Sequence, residues 1–193
     1  RRFFPTMKTV ILDIILQRRI LAEGIQRWSI HSLIFLAFLA RFSLSLLTVL
    51  VFNIWPDSSL AEVLVNKNHP FIAVTHDVLG LSILAGVIWA AVQRFIVKPI
   101  HLQSKEQDIT ALLIIGLLVA VGFVLEGMRI VVTQVPQDVA AYSFAGILVA
   151  KVLTSISKDW QSAYGIFWYI HAALWALFII YIPFGKLKHI VIT

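Results

Sequence analysis

The sequence predicts an all-α integral membrane protein, a bundle of four transmembrane helices with interfacial helices beside it. Three observations carry that prediction. The 193 residues are 60% hydrophobic and only 13% charged, with a mean hydropathy of +0.90, whereas a soluble domain carries roughly 25% charged residues. Four apolar stretches are each long enough to cross the ~30 Å hydrocarbon core of a bilayer at about 1.5 Å per residue. The basic residues flank those stretches and do not form a patch interleaved with aromatics, so the formal charge of +6 is a topology signal and nucleic acid is not an expected partner. The chain has no cysteine, which excludes disulfides, thiolate-ligated clusters and covalently attached haem. Any iron–sulfur centre must belong to a partner.

In chain order, Arg1-Arg2-Phe3-Phe4-Pro5 lacks the apolar region and cleavage site of a secretory signal and reads as the middle of a protein. Residues 1–26 are expected to form a cytoplasmic interfacial helix and residues 27–193 the transmembrane domain. In the first of these, Val10, Ile11, Ile14, Ile15 and Leu21 alternate with Asp13, Gln17, Arg18 and Arg19, a run too short and too charged to span. A soluble linker helix is the other reading of that pattern. The first span runs from about Arg27 to Trp55, anchored by Arg27-Trp28 and stopped by Trp55-Pro56-Asp57, with His31 about one turn inside its start. Arg41 falls near its middle, where an unpaired cation costs about 2.5 kcal/mol or more. A haem propionate would neutralise it; snorkelling or a bond to a neighbouring helix is the alternative.

A polar link, residues 56–70, leads to a second span from about Phe71 to Val97, carrying His76-Asp77 near its beginning and Gly80 and Gly86 in its interior. Those glycines would let a neighbouring helix or a flat macrocycle approach closely. The third span runs from about Ile109 to Val135, with Glu126 and Arg129 at a spacing that lets them neutralise each other. Residues 136–159 read as an amphipathic surface helix, not a crossing, and the fourth span follows from about Gln161 to Phe184, with Pro183 at its end. With the start of the first span inside, the inner segments hold Arg1, Arg2, Lys8, Arg18, Arg19, Arg27, Arg94, Lys98, Lys105, Lys186 and Lys188. The outer ones hold only Lys67, Arg129, Lys151 and Lys158. That asymmetry predicts an inside start in a prokaryotic cytoplasmic membrane.

The histidines carry the chemistry. His171 and His189 are 18 residues apart, five whole helical turns, so both imidazoles leave one helix face about 27 Å apart along the axis. One face thus offers a nitrogen ligand near each side of the membrane. A lone histidine on an apolar helix is more often packed than ligating, but intramembrane ionisable groups are costly and mark function. By depth, His31 and His189 share the cytoplasmic level, and His76 and His171 share the outer one. Two bis-histidine haems b, with these four residues as axial iron ligands, would use that pairing. His69 and His101 are expected to be solvated in loops, although His101 could take the place of His31 or His189.

With Arg27-Trp28 and His31, the His171/His189 spacing and the ending Ile182-Pro183-Phe184-Gly185-Lys186-Leu187-Lys188-His189, the chain resembles the di-haem cytochrome b family typified by the gamma subunit of respiratory nitrate reductase. It is more similar still to the relatives found as the membrane subunit of heterodisulfide reductase, in sulfite-reduction-associated membrane complexes, and fused ahead of cysteine-rich iron–sulfur oxidoreductase domains. The resemblance implies electron exchange between a membrane quinone pool, menaquinone by preference, and a cytoplasmic iron–sulfur partner or fused domain. It also implies a fifth span ahead of Arg1. In the nitrate reductase subunit a second ligand follows ten residues after the first on the same helix; here that position is Arg41, so His76 must take over. Quinone chemistry needs proton-exchanging groups near one haem. Asp77, Glu126 and Arg129 are the candidates, with a structural ion pair the other reading of the last two. Two further classes compete with electron transfer: a haem-free transporter or channel with a polar path, and a structural membrane anchor in which the histidines merely pack.

Overall fold

The computed structural model describes residues 10–97, 106–157 and 159–184, which are helical with no strand among them. The helices are α1 (Arg18–Glu23), α2 (Ile25–Ile54), α3 (Ser59–Val65), α4 (Pro70–Val92), α5 (Glu106–Val132), α6 (Gln137–Ala140), α7 (Phe144–Ile156) and α8 (Gln161–Phe184). A π-helical turn at Val10–Ile15 precedes α1, and another at Gln93–Val97 prolongs α4. Four helices are long and apolar enough to cross a membrane: Ile25–Ile54, Pro70–Val97, Ile109–Val132 and Gln161–Phe184. These are the four spans the sequence predicts, with ends displaced by no more than a few residues.

The bundle is held by apolar interdigitation at its centre. Ala37 of α2, Ile83 of α4, Ile114, Ile115 and Leu118 of α5, and Phe178 of α8 form one buried cluster. The α2 ring of Phe38 lies 5.2 Å from Phe178 and 6.2 Å from Trp175, which joins the first span to the last. Gly86 is where α2 and α4 touch: a Cβ there would stand 2.6 Å from Ile34 Cγ1 and 3.3 Å from the carbonyl oxygen of Ile30. At Gly80 the same construction meets Phe123 Cζ at 2.7 Å and Arg41 Nη1 at 3.0 Å. Of the two partners the sequence allows these glycines, the neighbouring helix and its side chains occupy both positions.

Two segments differ from expectation. The interfacial segment is not one helix, because Gln17 adopts a left-handed backbone (φ 52°) and Gly24 has φ 139°, so the chain turns twice before α2 begins. In the link between α2 and α4, α3 forms on the Ser58 cap, whose Oγ accepts from the Ala61 N–H at 3.1 Å. It buries Ala61 and Leu64 against Val51 and Ile72. The expected surface helix is α7, too short at 13 residues, about 20 Å, to cross the core. Its small face, Gly146 and Ala150, lies on α5, where a Cβ on Gly127 would meet Val149 Cγ1 at 2.7 Å.

Candidate functional site

At the end of the bundle where α2 and α5 finish and α4 and α8 begin, a cavity of about 210 Å³ opens between the spans. α2 contributes Arg41; α4 contributes His76 and Asp77; α5 contributes Gly122, Glu126 and Arg129; α8 contributes Tyr164, Trp168 and His171, with Lys67 at the α3–α4 link. The sequence singles out six of these residues, and they line one space. His76 and His171 come to it from different helices. The Nδ1 of His171 is shut off from solvent without a hydrogen-bond partner. A Cβ on Gly122 would stand 3.4 Å from His171 Cε1, so this glycine lies directly beside the imidazole, a neighbour the sequence does not announce.

The charged residues of the cavity are mostly occupied. Glu126 and Arg129 form a two-pronged ion pair, with Nε donating to Oε2 at 3.0 Å and Nη2 to Oε1 at 2.8 Å. Arg129 Nη1 also donates to Asn68 Oδ1 at 2.9 Å, and the Ser143 hydroxyl donates to Glu126 Oε1 at 3.1 Å. Asp77 is 3% exposed, and its Oδ2 accepts the Ala145 N–H at 2.7 Å. It caps the first turn of α7 from a different helix. Arg41 donates from Nη1 to the His76 carbonyl oxygen at 3.3 Å, so a neighbouring-helix bond is in place, and its guanidinium keeps further N–H groups.

At the opposite end of the bundle His31 lies in the first turns of α2, its Nδ1 3.0 Å from Gln17 Oε1. The Ser32 hydroxyl donates to the same oxygen at 2.9 Å, and the Trp28 indole N–H donates to the Leu16 carbonyl at 3.0 Å. Its expected companion, His189, lies outside the described residues, as does His101. His69 is not the solvated loop residue expected: it is half-buried, stands at the position preceding Pro70 of α4, and its Nδ1 is out of solvent without a partner. Among the described residues no group of three or more His, Asp or Glu side chains is placed to hold a free metal ion. Axial ligation of a haem iron needs only two neutral imidazoles. His76 and His171 on one cavity with Arg41, the second histidine with an unpartnered buried nitrogen, are a donor set that fits such a group.

Compared with known proteins, the chain is 30% identical over 128 residues to the E subunit of dihydromethanophenazine:CoB–CoM heterodisulfide reductase from Methanosarcina thermophila, a match covering 65% of this chain and 47% of that protein. The corresponding protein of Methanosarcina mazei is 26% identical over 193 residues, 98% of this chain and 65% of that protein. The EtfAB:quinone oxidoreductase of Syntrophomonas wolfei is 33% identical over 127 residues, 59% of this chain and 17% of that protein. The chain thus spans about half the length of the Methanosarcina thermophila relative. No family model and no solved structure matches it. With four spans built around a polar cavity, the chain is a multi-pass membrane protein similar to the E subunits of heterodisulfide reductases and to part of an EtfAB:quinone oxidoreductase.

Proposed function

We propose that this chain is a di-haem cytochrome b domain, of the kind typified by the respiratory nitrate reductase gamma subunit. It carries electrons between a quinone pool, menaquinone in the first instance, and a cytoplasmic iron–sulfur oxidoreductase. The observation that supports this most is the arrival of His76 and His171, from two spans, on one membrane-embedded cavity together with Arg41. Similarity to an EtfAB:quinone oxidoreductase supports the quinone link, and with no cysteine among these 193 residues the iron–sulfur clusters belong to a partner subunit or a fused domain. A haem b iron, when bound, accepts and returns one electron at a potential set by its axial ligands and burial.

The residues divide that work. His76 and His171 hold the outer haem, and His31 with His189 the inner one. Arg41 neutralises a propionate with the N–H groups it does not spend on the His76 carbonyl. The apolar cluster around Ile83 and Phe178 keeps water from the centre of the bundle. Asp77, Glu126 and Arg129 form the polar wall at which quinone protons are exchanged. Because Asp77 caps α7 and the other two hold each other, that role requires their bonds to open.

Purified protein tests the reading directly. Wild type is expected to show a Soret band and the reduced spectrum of two b-type haems, with His171→Ala losing one and His31→Ala the other. A protein with no Soret absorbance points to a haem-free transporter, and redox spectra unchanged in His171→Ala point to a structural anchor. Either result overturns the proposal.

A further inference from the structure

We infer that Tyr164 and Trp168 of α8 form a lateral entrance to the cavity and hold there a flat quinoid ring that arrives from the bilayer, its apolar tail staying in lipid. The inference deepens the quinone link proposed above and rests on it. Among the described residues that line the cavity, two are exposed, Lys67 and Trp168. Lys67 is in the connection before Pro70, outside the spans, so its side of the cavity leads to water. Trp168 is 54% exposed and lies inside the last span, about 10 Å along the axis from Gln161. That span buries only 6% of its most apolar window in the bundle, so the surface exposing Trp168 is one that meets lipid. The cavity thus reaches lipid as well as water, and the indole stands on the lipid side.

The spacing along α8 orders the groups. Tyr164, Trp168 and His171 follow one another at i, i+4 and i+7, so they leave the helix in one stripe, and all three line the cavity. Two aromatic rings therefore come ahead of the imidazole. Tyr169, which is not among the lining residues, packs against the indole at right angles with ring centroids 5.2 Å apart and restricts its rotation. A quinoid ring is flat and stacks on aromatic side chains, while its carbonyl oxygens need donors. The bonds that join Glu126, Arg129, Asn68, Ser143 and Asp77 do not use the Tyr164 hydroxyl, which is left to donate to such an oxygen. Tryptophans near span ends commonly serve only as interface anchors. Trp55, exposed at the end of α2 and off the cavity, is that case; Trp168 differs because it lines the cavity.

The full chain in lipid nanodiscs, with whatever haem it carries, tests this by equilibrium binding of a radiolabelled menaquinone bearing a single prenyl unit. Trp168→Leu and Tyr164→Leu are each expected to weaken binding roughly 3- to 10-fold, the worth of an aromatic contact. Trp168→Phe, which keeps a ring, is expected to lose less, and Trp55→Leu nothing. A sulfonated naphthoquinone, which stays in water, is expected not to compete with the prenylated probe. Binding untouched by both leucine variants overturns the inference and leaves the quinone link standing, whereas wild type that binds no quinone overturns both. An equal loss in Trp55→Leu reduces the effect to interface anchoring, and full competition by the sulfonate places the entrance on the aqueous side; either result also overturns it. Cross-linking decides the matter without any variant. A photoreactive azido derivative of the prenylated probe is expected to label the α8 peptide that carries Tyr164 and Trp168, and label confined to other helices would sink the assignment.

Discussion

Glu126 and Arg129 stand three residues apart on α5, and their side chains are 14% and 21% exposed in the order Arg129, Glu126. Removing one member of a pair this far from water leaves the other charge uncompensated, at a cost of about 3–5 kcal/mol when burial is complete. The residual exposure places Glu126→Gln toward the lower end of that range, measured by unfolding in detergent. Glu126→Gln combined with Arg129→Gln is expected to cost less than the sum of the two single changes. A strictly additive cycle would mean the pair holds nothing together. At this scale the sequence is legible wherever the cause is local. The i, i+3 spacing of Glu126 and Arg129 announces their bond, and the cost of a buried cation announces that Arg41 needs a partner. The contacts of Gln17, Gly122 and Asn68 are not announced, since each meets a residue far away in the chain and has no periodicity of its own.

Among elements, α7 shows how a short helix is fixed at the edge of a bundle without a cap of its own. Ser143 makes no side-chain cap bond but donates to Glu126, and Asp77 of α4 supplies the missing acceptor at Ala145. Replacing Asp77 by alanine is expected to cost about 0.5–2 kcal/mol, the usual worth of a cap. Faster hydrogen exchange at the amide of Ala145 is the local sign. Asp77→Asn retains an oxygen and is expected to lose less. Equal exchange in both variants and wild type would show that the bond does not hold the helix end. The glycines make a second comparison. Gly86→Ala drives a methyl against Ile34 and the Ile30 carbonyl, so about 1–3 kcal/mol of overpacking is expected. Gly165→Ala on α8 meets nothing within 4 Å and is expected to be neutral or to gain up to about 1 kcal/mol of helix propensity. The four spans are legible because hydropathy acts on about twenty residues at once. α3 is less so: its Ser58 cap and the Leu60, Ala61 and Leu64 stripe are visible only once the link is not treated as polar throughout.

For the whole molecule, the two middle spans bury more of themselves than the outer two: 33% and 28% of their most apolar windows, against 11% for the first and 6% for the last. The second and third spans therefore make the bundle's interior, and α2 and α8 flank it, each adding to the cavity from one side. Which end of this bundle meets the cytoplasm is decided by charge. Arg18, Arg19 and Arg27 cluster at the beginning of α2 and Arg94 at the end of α4, whereas the α2–α4 connection carries only Lys67 as a cation. Since each cation near a span end resists translocation, the start of α2 is expected on the cytoplasmic side and the polar cavity toward the other face. The chain has no cysteine, so single cysteines report topology without background. Asp57→Cys, exposed beyond the end of α2, and Arg19→Cys, exposed in α1, lie on opposite sides. A membrane-impermeant maleimide applied to intact cells is expected to label Asp57→Cys, and to label Arg19→Cys only after permeabilisation. The reverse pattern would invert the bundle, and with it the assignment of His76 and His171 to the outer level and of Gln17 and His31 to the inner one.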